Sequence, residues 1–394
     1  MDGKVGWLGA VALTVVVAGG CTPPAKRPRV GATPASGTPP HATQVAQGLW
    51  SCEHGYLMRD NQCVPEDVAT AEPRMQIYTG EDLEAPPPEP VKQDRRLTSM
   101  PGFAWNEADY PPRAVPTYAF SLTPDGFSTV IGEPTSYTLP EGKTVYEAAR
   151  HLGLGMNQVG AAFPDLDFVN PPFGDALDFP TWWVLPESDY RGIVINVPEM
   201  RIYYFPDEQP GAVITYPVGL GDDKWQTPIA RFRVIGKEID PPWFIPETIR
   251  AEHIRERNDP RTSIPGGATD NPLGHYRLKL SLPLYGIHGT NVPWGIGMEV
   301  THGCIRLYPE DIERFFPMVP VGTPGQFLYQ PVKVGARGGE IFIEVHPDIY
   351  ETKLNYLAEA LRSLEARGWK DRIDWRLLTE AVEAKRGTPT RISS

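Results

Sequence analysis

Proline sets the first limit on what this chain can fold into. Of its 394 residues, 44 are proline, against a usual share of about 5%. Residues 22–48 and the stretch around Pro86–Pro90 combine proline with other residues common in linkers. Because proline has no amide hydrogen and ends helices and central strands, we predict a flexible linker over residues 21–50 and a Pro-rich linker over residues 66–116. The larger folded domains are therefore expected after residue 116.

The first twenty residues indicate export. Lys4 precedes an apolar run, Val5 to Ala18, that is too short for a resident transmembrane helix and has the length of a signal-peptide core. The run ends in small residues before Cys21, a pattern that resembles the bacterial lipobox. We predict a lipoprotein-type signal peptide over residues 1–20, lipidation of Cys21 and a periplasm-facing location in the cell envelope. An ordinary cleaved signal peptide is the alternative, and both membranes stay open as the anchor site.

The four cysteines separate by position. Cys21 is the anchor candidate, and Cys52 and Cys63 enclose a short Gly-containing segment. In an oxidising compartment these two would close a small disulfide loop over residues 51–65, worth roughly 3 kcal/mol. Cys304 is left without a partner, and an unpaired thiol in an exported protein indicates reactivity.

The charge balance argues against a nucleic-acid partner. The formal net charge is −12, with no long run of Lys or Arg, whereas neutralising phosphates needs a concentrated basic face. Nucleic-acid binding is therefore set aside.

The apolar content of 41% is sufficient for real cores in two or more modest domains.

Residues 117–188 are predicted to form a small α+β module. An extended segment is followed by a Glu-Gly turn and a helix that Thr144 is suited to cap. Residues 137–186 resemble a LysM module, the βααβ fold that binds the glycan of peptidoglycan. The matching positions are Tyr137, Gly142, Thr144, Asn157 and the closing Trp183-Val184-Leu185-Pro186. Lys143 departs from the pattern, so glycan binding and a spacer role both stay open.

Residues 190–330 change to short strands, and residues 331–394 follow as a C-terminal strand and helical extension. The strand signal is a recurrence of β-branched and aromatic runs. These runs are Ile193–Val197, Met200–Phe205, Ala212–Val218, Phe232–Lys237, Gly325–Tyr329 and Glu340–Val345, with a short helix from Glu310 to Phe316. Leucines at helical spacing up to Gly368 and a second segment from about Asp374 to Lys385 predict helices in the tail. The fold class expected is mainly β with α.

The chemistry is concentrated between His288 and Arg306. A cysteine is only a few per cent thiolate at neutral pH and needs a neighbouring imidazole or dipole to become a ready nucleophile. His288 precedes Cys304 by sixteen positions, a distance that two strands and a loop can close. If the segment that contains Cys304 is extended, His302, Cys304 and Arg306 share one face. Gly303 would admit a substrate backbone and leave amide groups free for an oxyanion hole.

The stretch from Gly192 to about Tyr329 resembles a YkuD-type L,D-transpeptidase catalytic domain. The family signature is a histidine followed some sixteen residues later by Ser/Thr-His-Gly-Cys and an arginine, which here are His288 and Thr301-His302-Gly303-Cys304-Ile305-Arg306. The pairing with a LysM-like module resembles the Gram-negative branch. Further matches are Gly192–Asn196, Trp225–Pro228, Asp270–Gly274 and Val321–Pro324.

The resemblance implies a ping-pong mechanism on peptidoglycan stem peptides. His288, oriented through the backbone carbonyl of Gly289, deprotonates Cys304, which attacks the meso-diaminopimelate carbonyl of a tetrapeptide and releases D-Ala. An amine then takes the acyl group. The acceptor stays open between another diaminopimelate, a lysine of an envelope protein and water. Arg306 suits a carboxylate, either of the substrate or of a structural acid such as Asp311.

Three alternatives compete with this assignment. One is a wall-binding scaffold in which the thiol domain is inert, and another is an L,D-carboxypeptidase or hydrolase that uses the same thiol. The third is a zinc site formed by His288, His302 and Cys304. No further ligand stands beside them at familiar spacing, so we expect neither metal nor cofactor, and the oligomeric state stays open.

Overall fold

A computed structural model describes residues 113–394, apart from 169–170, 223–224 and 302, together with four strands between residues 42 and 65. The chain divides into two units, Met1–Gln93 and Asp94–Ser394. The first unit contains two antiparallel pairs, β1 with β2 and β3 with β4. These strands are β1 (Ala42–Ala46), β2 (Leu49–Cys52), β3 (Tyr56–Arg59) and β4 (Gln62–Pro65). No helix in the described part of the chain is long and apolar enough to span a membrane.

Short strands and two helices form the start of the second unit. They are β5 (Thr117–Ala119), β6 (Val130–Gly132), β7 (Thr135–Thr138), α1 (Val145–His151), α2 (Met156–Ala162), β8 (Ala176–Phe179) and β9 (Trp182–Val184). Thr144 caps α1 in a capping box with Glu147, as the sequence predicted for Thr144. The strand that pairs with β7 is β8, whereas β9 pairs with β6. The expectation that Trp183–Pro186 closes the βααβ unit is therefore wrong in detail.

The central part of the second unit is strand-rich. Its elements are β10 (Gly192–Asn196), β11 (Arg201–Phe205), β12 (Ala212–Pro217), β13 (Leu220–Gly221), β14 (Arg231–Ile239), β15 (Trp243–Phe244), α3 (Glu247–Arg257), β16 (Ser263–Ile264), β17 (Tyr276–Leu280), β18 (Gly286–His288), β19 (Glu299–Thr301), β20 (Ile305–Arg306), α4 (Pro309–Met318) and β21 (Pro324–Leu328). The sequence analysis assigned no helix at α3. None of its residues is buried, so it lacks the apolar periodicity from which a helix is recognised.

Nine strands form one sheet in the order β20-β18-β17-β14-β21-β10-β11-β12-β5. Strands β10, β11 and β12 are buried on both faces, which explains why they read as largely apolar runs. Ile193 and Ile195 point into a core with α4, and Val194 between them points into a core with α1. The β-rich class with a few helices is therefore confirmed.

The chain ends in a three-stranded sheet, in the order β22-β23-β24, covered by two helices. These elements are β22 (Val332–Arg337), β23 (Glu340–Val345), α5 (Tyr356–Ala366), α6 (Trp375–Ala384) and β24 (Thr390–Arg391). Asn355 and Asp374 cap the two helices through their side chains. Leu361 and Leu364 lie on the face of α5 that packs on this sheet, whereas Leu357 is exposed.

Candidate active site

Cys304 lies immediately before β20, and His288 ends β18, the parallel neighbour of β20. The register sets Ile287 opposite Ile305 and His288 opposite Arg306. Ile287 and Ile305 belong to the core. Because side chains alternate along a strand, Arg306 and His288 point to the opposite face. Cys304 is two positions before Arg306, in the turn that leads into β20. The fold therefore brings three of the sequence-predicted residues into one region.

Three basic side chains lie side by side across β17, β18 and β20. Arg277 pairs with His288, and His288 pairs with Arg306. His288 is 1% exposed. Burial, reinforced by the guanidiniums of Arg306 and Arg277 and opposed by a hydrogen bond to Gly289, lowers the pKa of His288 to about 3. The imidazole is therefore neutral at physiological pH.

The tautomer of His288 follows from its single hydrogen bond. Nδ1 lies 2.7 Å from the carbonyl oxygen of Gly289. Since a carbonyl only accepts, Nδ1 carries the hydrogen and Nε2 carries the lone pair. Nε2 is buried and has no hydrogen-bond partner within the described part of the chain. His288 thus presents an available proton acceptor.

The surroundings of Cys304 favour the protonated thiol. Its Sγ lies 4.0 Å from the carbonyl oxygen of Leu284, and no hydrogen bond joins it to His288. Burial raises the pKa of Cys304, although Arg306 and Arg277 act in the opposite direction. The resting pair is therefore a neutral thiol and a neutral imidazole.

The segment that carries the nucleophile is not one extended strand. β19 ends at Thr301 and β20 begins at Ile305, and between them Gly303 has a φ of +97°. Residues other than glycine rarely adopt this backbone conformation. A Cβ at Gly303 would also lie 3.1 Å from Cε1 of Tyr285. Gly303 is thus required by the backbone itself, and the alternation expected through residue 303 does not hold.

Thr301 fastens this turn with its hydroxyl. Its Oγ1 accepts the Gly303 N–H at 3.2 Å and donates to the Cys304 carbonyl at 2.7 Å. The Gly303 amide is therefore engaged by Thr301, and the oxyanion hole expected from amide groups near Gly303 stays a prediction. Thr301 stands in the motif, but its residue type alone carries no signal for this role.

Arg306 has a different environment from the one expected. Asp311, its suggested structural partner, is paired with Arg113. No ion pair or hydrogen bond joins the Arg306 guanidinium to any residue the structure describes, and its Nε is buried. A buried guanidinium without a carboxylate partner is free to bind an anionic group of a ligand.

Some predicted positions cannot be located. His302 and Cys21 lie outside the described residues, so the roles predicted for them stay predictions. Cys52 ends β2 and Cys63 lies in β4, but their side chains are also outside the description. The disulfide between them therefore stays a prediction.

A second buried polar cluster was not anticipated. Glu199, Glu344 and His346 offer ligand atoms close enough together for a metal. The ammonium of Lys333 lies 2.8 Å from Glu199 and 2.9 Å from Glu344. A cation supplied by the chain itself therefore already contacts both carboxylates. The only sequence signal is a lysine between Val332 and Val334 in an apolar run.

The chain is similar in sequence to known proteins. A family model described as the L,D-transpeptidase catalytic domain, YkuD, matches residues 190–334. The probable L,D-transpeptidase YbiS of Escherichia coli K12 is 35% identical over 285 residues, covering 70% of this chain and 92% of that protein. The probable L,D-transpeptidase ErfK/SrfK of the same strain is 32% identical, covering 76% and 98%. An NMR structure of an E. faecium L,D-transpeptidase catalytic domain is 19% identical, covers 36% of this chain and 100% of that chain, and has a TM-score of 0.28.

Proposed function

The chain belongs to the L,D-transpeptidase family, and from this premise we propose that it exchanges peptide bonds in peptidoglycan through a covalent intermediate on Cys304. The observation that carries the proposal is the buried, unprotonated Nε2 of His288 on the strand next to the thiol. A cysteine nucleophile and a neutral imidazole acceptor are the parts that acyl transfer needs.

The proposed donor is the tetrapeptide stem of peptidoglycan. The Sγ of Cys304 attacks the carbonyl carbon of meso-diaminopimelate while its proton moves to Nε2 of His288. The bond to the D-Ala nitrogen then breaks, and the imidazolium returns the proton to the leaving amine. The products of this half-reaction are free D-Ala and a thioester on Cys304. The Gly289 carbonyl holds the imidazole in the required tautomer throughout.

The neutral resting pair defines when the proton moves. The pKa of His288 is lowered to about 3, and the pKa of Cys304 is raised. A thiolate is therefore not stored in the free enzyme but forms as the carbon–sulfur bond is made. Such an arrangement protects the thiol from adventitious electrophiles, because the thiolate is the reactive form.

Arg306 is proposed to bind a substrate carboxylate. Its guanidinium has no partner among the residues described, and it stands beside His288 in the strand register. D-Ala and diaminopimelate both carry carboxylates, which a guanidinium binds in bidentate fashion. His302 is proposed as a further supporting residue, and Gly303 as the turn that keeps the backbone beside the thiol.

The acyl acceptor defines which product forms. Attack by a diaminopimelate amine on the thioester gives a 3→3 cross-link, whereas attack by a lysine of an envelope protein attaches that protein to the wall. Attack by water makes the site an L,D-carboxypeptidase. All three use the same first half-reaction, so the proposal for Cys304 does not depend on the choice.

The remaining segments are proposed to hold the enzyme in the cell envelope. We propose a signal peptide over residues 1–20, lipidation at Cys21, and a tether that runs through the small disulfide loop of Cys52 and Cys63. The LysM-like module of residues 117–188 would then face the wall together with the catalytic domain of residues 190–330. Residues 331–394 form the C-terminal extension.

The test is D-Ala release from purified disaccharide-tetrapeptide by the full-length protein in detergent. Wild type should release D-Ala and show a thioester adduct by intact mass, and Cys304→Ala should show neither. The control is a chelator, which should leave the wild-type rate unchanged. Binding to insoluble wall without D-Ala release would support the scaffold instead, and loss of activity on chelation would support the zinc site.

A further inference from the structure

The C-terminal extension folds back onto the catalytic domain through two tyrosines. The rings of Tyr329 and Tyr350 stack with centroids 5.5 Å apart and planes at 24°. The Tyr350 N–H donates to the Tyr329 hydroxyl at 2.9 Å, and that hydroxyl donates to Asp348. Tyr350 follows the family-matched region, which ends at residue 334. Its position is thus set by contacts on both sides of that boundary.

The phenol of Tyr350 reaches a segment beside the nucleophile. Its oxygen accepts the N–H of Thr227 at 2.9 Å. Thr227 is 2% exposed. If the Tyr350 hydroxyl were removed, water would therefore not readily replace it as the partner of the Thr227 amide. Thr227 is the last residue of a short segment, Trp225–Thr227, whose tryptophan is 39% exposed. Tyr350 therefore anchors the outer end of this segment.

Gly221 and Asp222, a few residues before Trp225, contact the turn that carries Cys304. The Asp222 N–H donates to the Thr301 carbonyl at 3.0 Å. A Cβ at Gly221 would lie 2.0 Å from the Trp225 carbonyl oxygen and 3.0 Å from Cα of Gly303. The backbone at Trp225 is thus packed through Gly221 onto Gly303, one residue before Cys304.

Tyr350 also lies near the aromatic ring that covers the turn. The ring of Tyr285 is the nearest neighbour of the position that a Cβ at Gly303 would take. Burial raises the pKa of Tyr285, and the neighbouring Tyr350 and Cys304 raise it further. Tyr285 of the catalytic domain therefore covers the turn that precedes Cys304.

We propose that Tyr350 is a positioning residue of the active site, which holds the Trp225–Thr227 segment against the turn that carries Cys304. The C-terminal extension is then a component of the substrate groove and not only a packing unit. This inference rests on the proposed function, because it assigns the flanking walls to the groove in which the stem peptide is acylated.

The test compares Tyr350→Phe with Tyr204→Phe in the full-length protein. Both variants keep the ring and lose a hydrogen bond of 2.9 Å between a phenol and the backbone, since Tyr204 donates to the Met318 carbonyl. Three quantities are measured: amide hydrogen exchange of the peptide that contains Thr227, kcat/KM for D-Ala release, and the rate at which iodoacetamide alkylates Cys304.

Tyr350→Phe is expected to exchange faster at Thr227 by about tenfold and to lose about tenfold in kcat/KM, because a small misplacement of groove walls is costly for orientation. Alkylation by the small reagent and the melting temperature should stay at wild-type values. Tyr204→Phe should leave exchange at Thr227 and kcat/KM unchanged.

Two results would overturn the inference. One is wild-type exchange and wild-type kcat/KM in Tyr350→Phe. The other is a parallel fall in melting temperature, alkylation and kcat/KM, which would make Tyr350 a packing residue only. If wild type itself releases no D-Ala, the proposed function fails, and hydrogen exchange at Thr227 alone decides the role of Tyr350.

Discussion

The molecule buries charged side chains in two places and treats them in opposite ways. Around Lys333, two carboxylates and a backbone carbonyl satisfy the ammonium, and His346 contacts one of these carboxylates, Glu344, at 2.7 Å. Around His288, Nε2 and the Arg306 Nε lie buried without a hydrogen-bond partner in the parts of the chain described.

This difference in hydrogen bonding distinguishes a cluster that stabilises the fold from one that serves the reaction. A buried charge that is fully paired specifies how the chain packs, whereas unpaired buried groups cost free energy and persist where a ligand or a reaction uses them. Both clusters contain a histidine and a cation, so residue type does not distinguish them. The hydrogen bonds around each group do.

The strongest test makes the same substitution in both clusters. His288→Gln should lower D-Ala release by about 10²–10⁴-fold, since the proton acceptor is lost, with the fold retained. His346→Gln should keep wild-type release and cost about 1 kcal/mol of unfolding free energy, since a neutral hydrogen bond to Glu344 remains. Steady-state rates and urea unfolding check both. Equal losses of activity in the two variants would contradict the division.

Removing each cluster's cation should give opposite results in stability. Lys333→Met leaves Glu199 and Glu344 buried without their counter-ion and should cost about 3–5 kcal/mol of unfolding free energy. Arg306→Met removes a guanidinium that has no carboxylate partner among the described residues and should change stability by less than about 1 kcal/mol. Chemical denaturation of both variants measures this. A large destabilisation by Arg306→Met would show that the guanidinium is structurally paired.

The buried neutral imidazole of His288 predicts an acid-sensitive stability. The pKa is about 3 in the folded protein and about 6.5 in an unfolded chain. The unfolded state therefore binds the extra proton first, and stability is lost as pH falls from 6.5 toward 3. Between pH 7 and 5, wild type should lose about 2 kcal/mol more than His288→Gln. Parallel curves for the two proteins would mean that this imidazole is not held neutral.

The smallest expected effect concerns the hydrogen bonds of the Thr301 hydroxyl in the turn that carries Cys304. Thr301→Val keeps the side-chain shape and removes the hydroxyl that bonds Gly303 and Cys304, so D-Ala release should fall about tenfold. Thr215→Val is the matched control, because Thr215 is also buried and its hydroxyl donates to the Ile202 carbonyl at 2.9 Å. Kinetic assays on both variants should show a loss of rate for Thr301 only. Wild-type activity in Thr301→Val would show that these hydrogen bonds are not part of the site.

Much of the fold was accessible from the sequence, for identifiable reasons. Thr144 has the residue type of a helix cap, and the run Ile193–Val197 is apolar enough for a strand buried on both faces. Pairing was less accessible: β8, Ala176–Phe179, carries no strong strand signal, yet it pairs with β7. The exposed helix α3 was missed because it buries none of its residues.

The candidate site divides in the same manner. Spacing and residue type indicated His288, Cys304 and Arg306, and the strand register then brought them into one region. The partner of Asp311 could not be predicted, because Arg113 lies 198 positions away. The engagement of the Gly303 amide by Thr301 depends on a positive φ that a glycine permits but does not require.

The sequence by itself determined which atoms are chemically able to react, because a lone thiol and an imidazole at a set spacing are covalent facts of the chain. Only the tertiary structure decided their protonation states, because burial and the guanidiniums of Arg277 and Arg306 act through space. It also decided that Tyr350, 46 residues beyond Cys304, accepts a hydrogen bond from the backbone of Thr227. Pairings between distant strands and segments leave no local pattern from which they can be inferred.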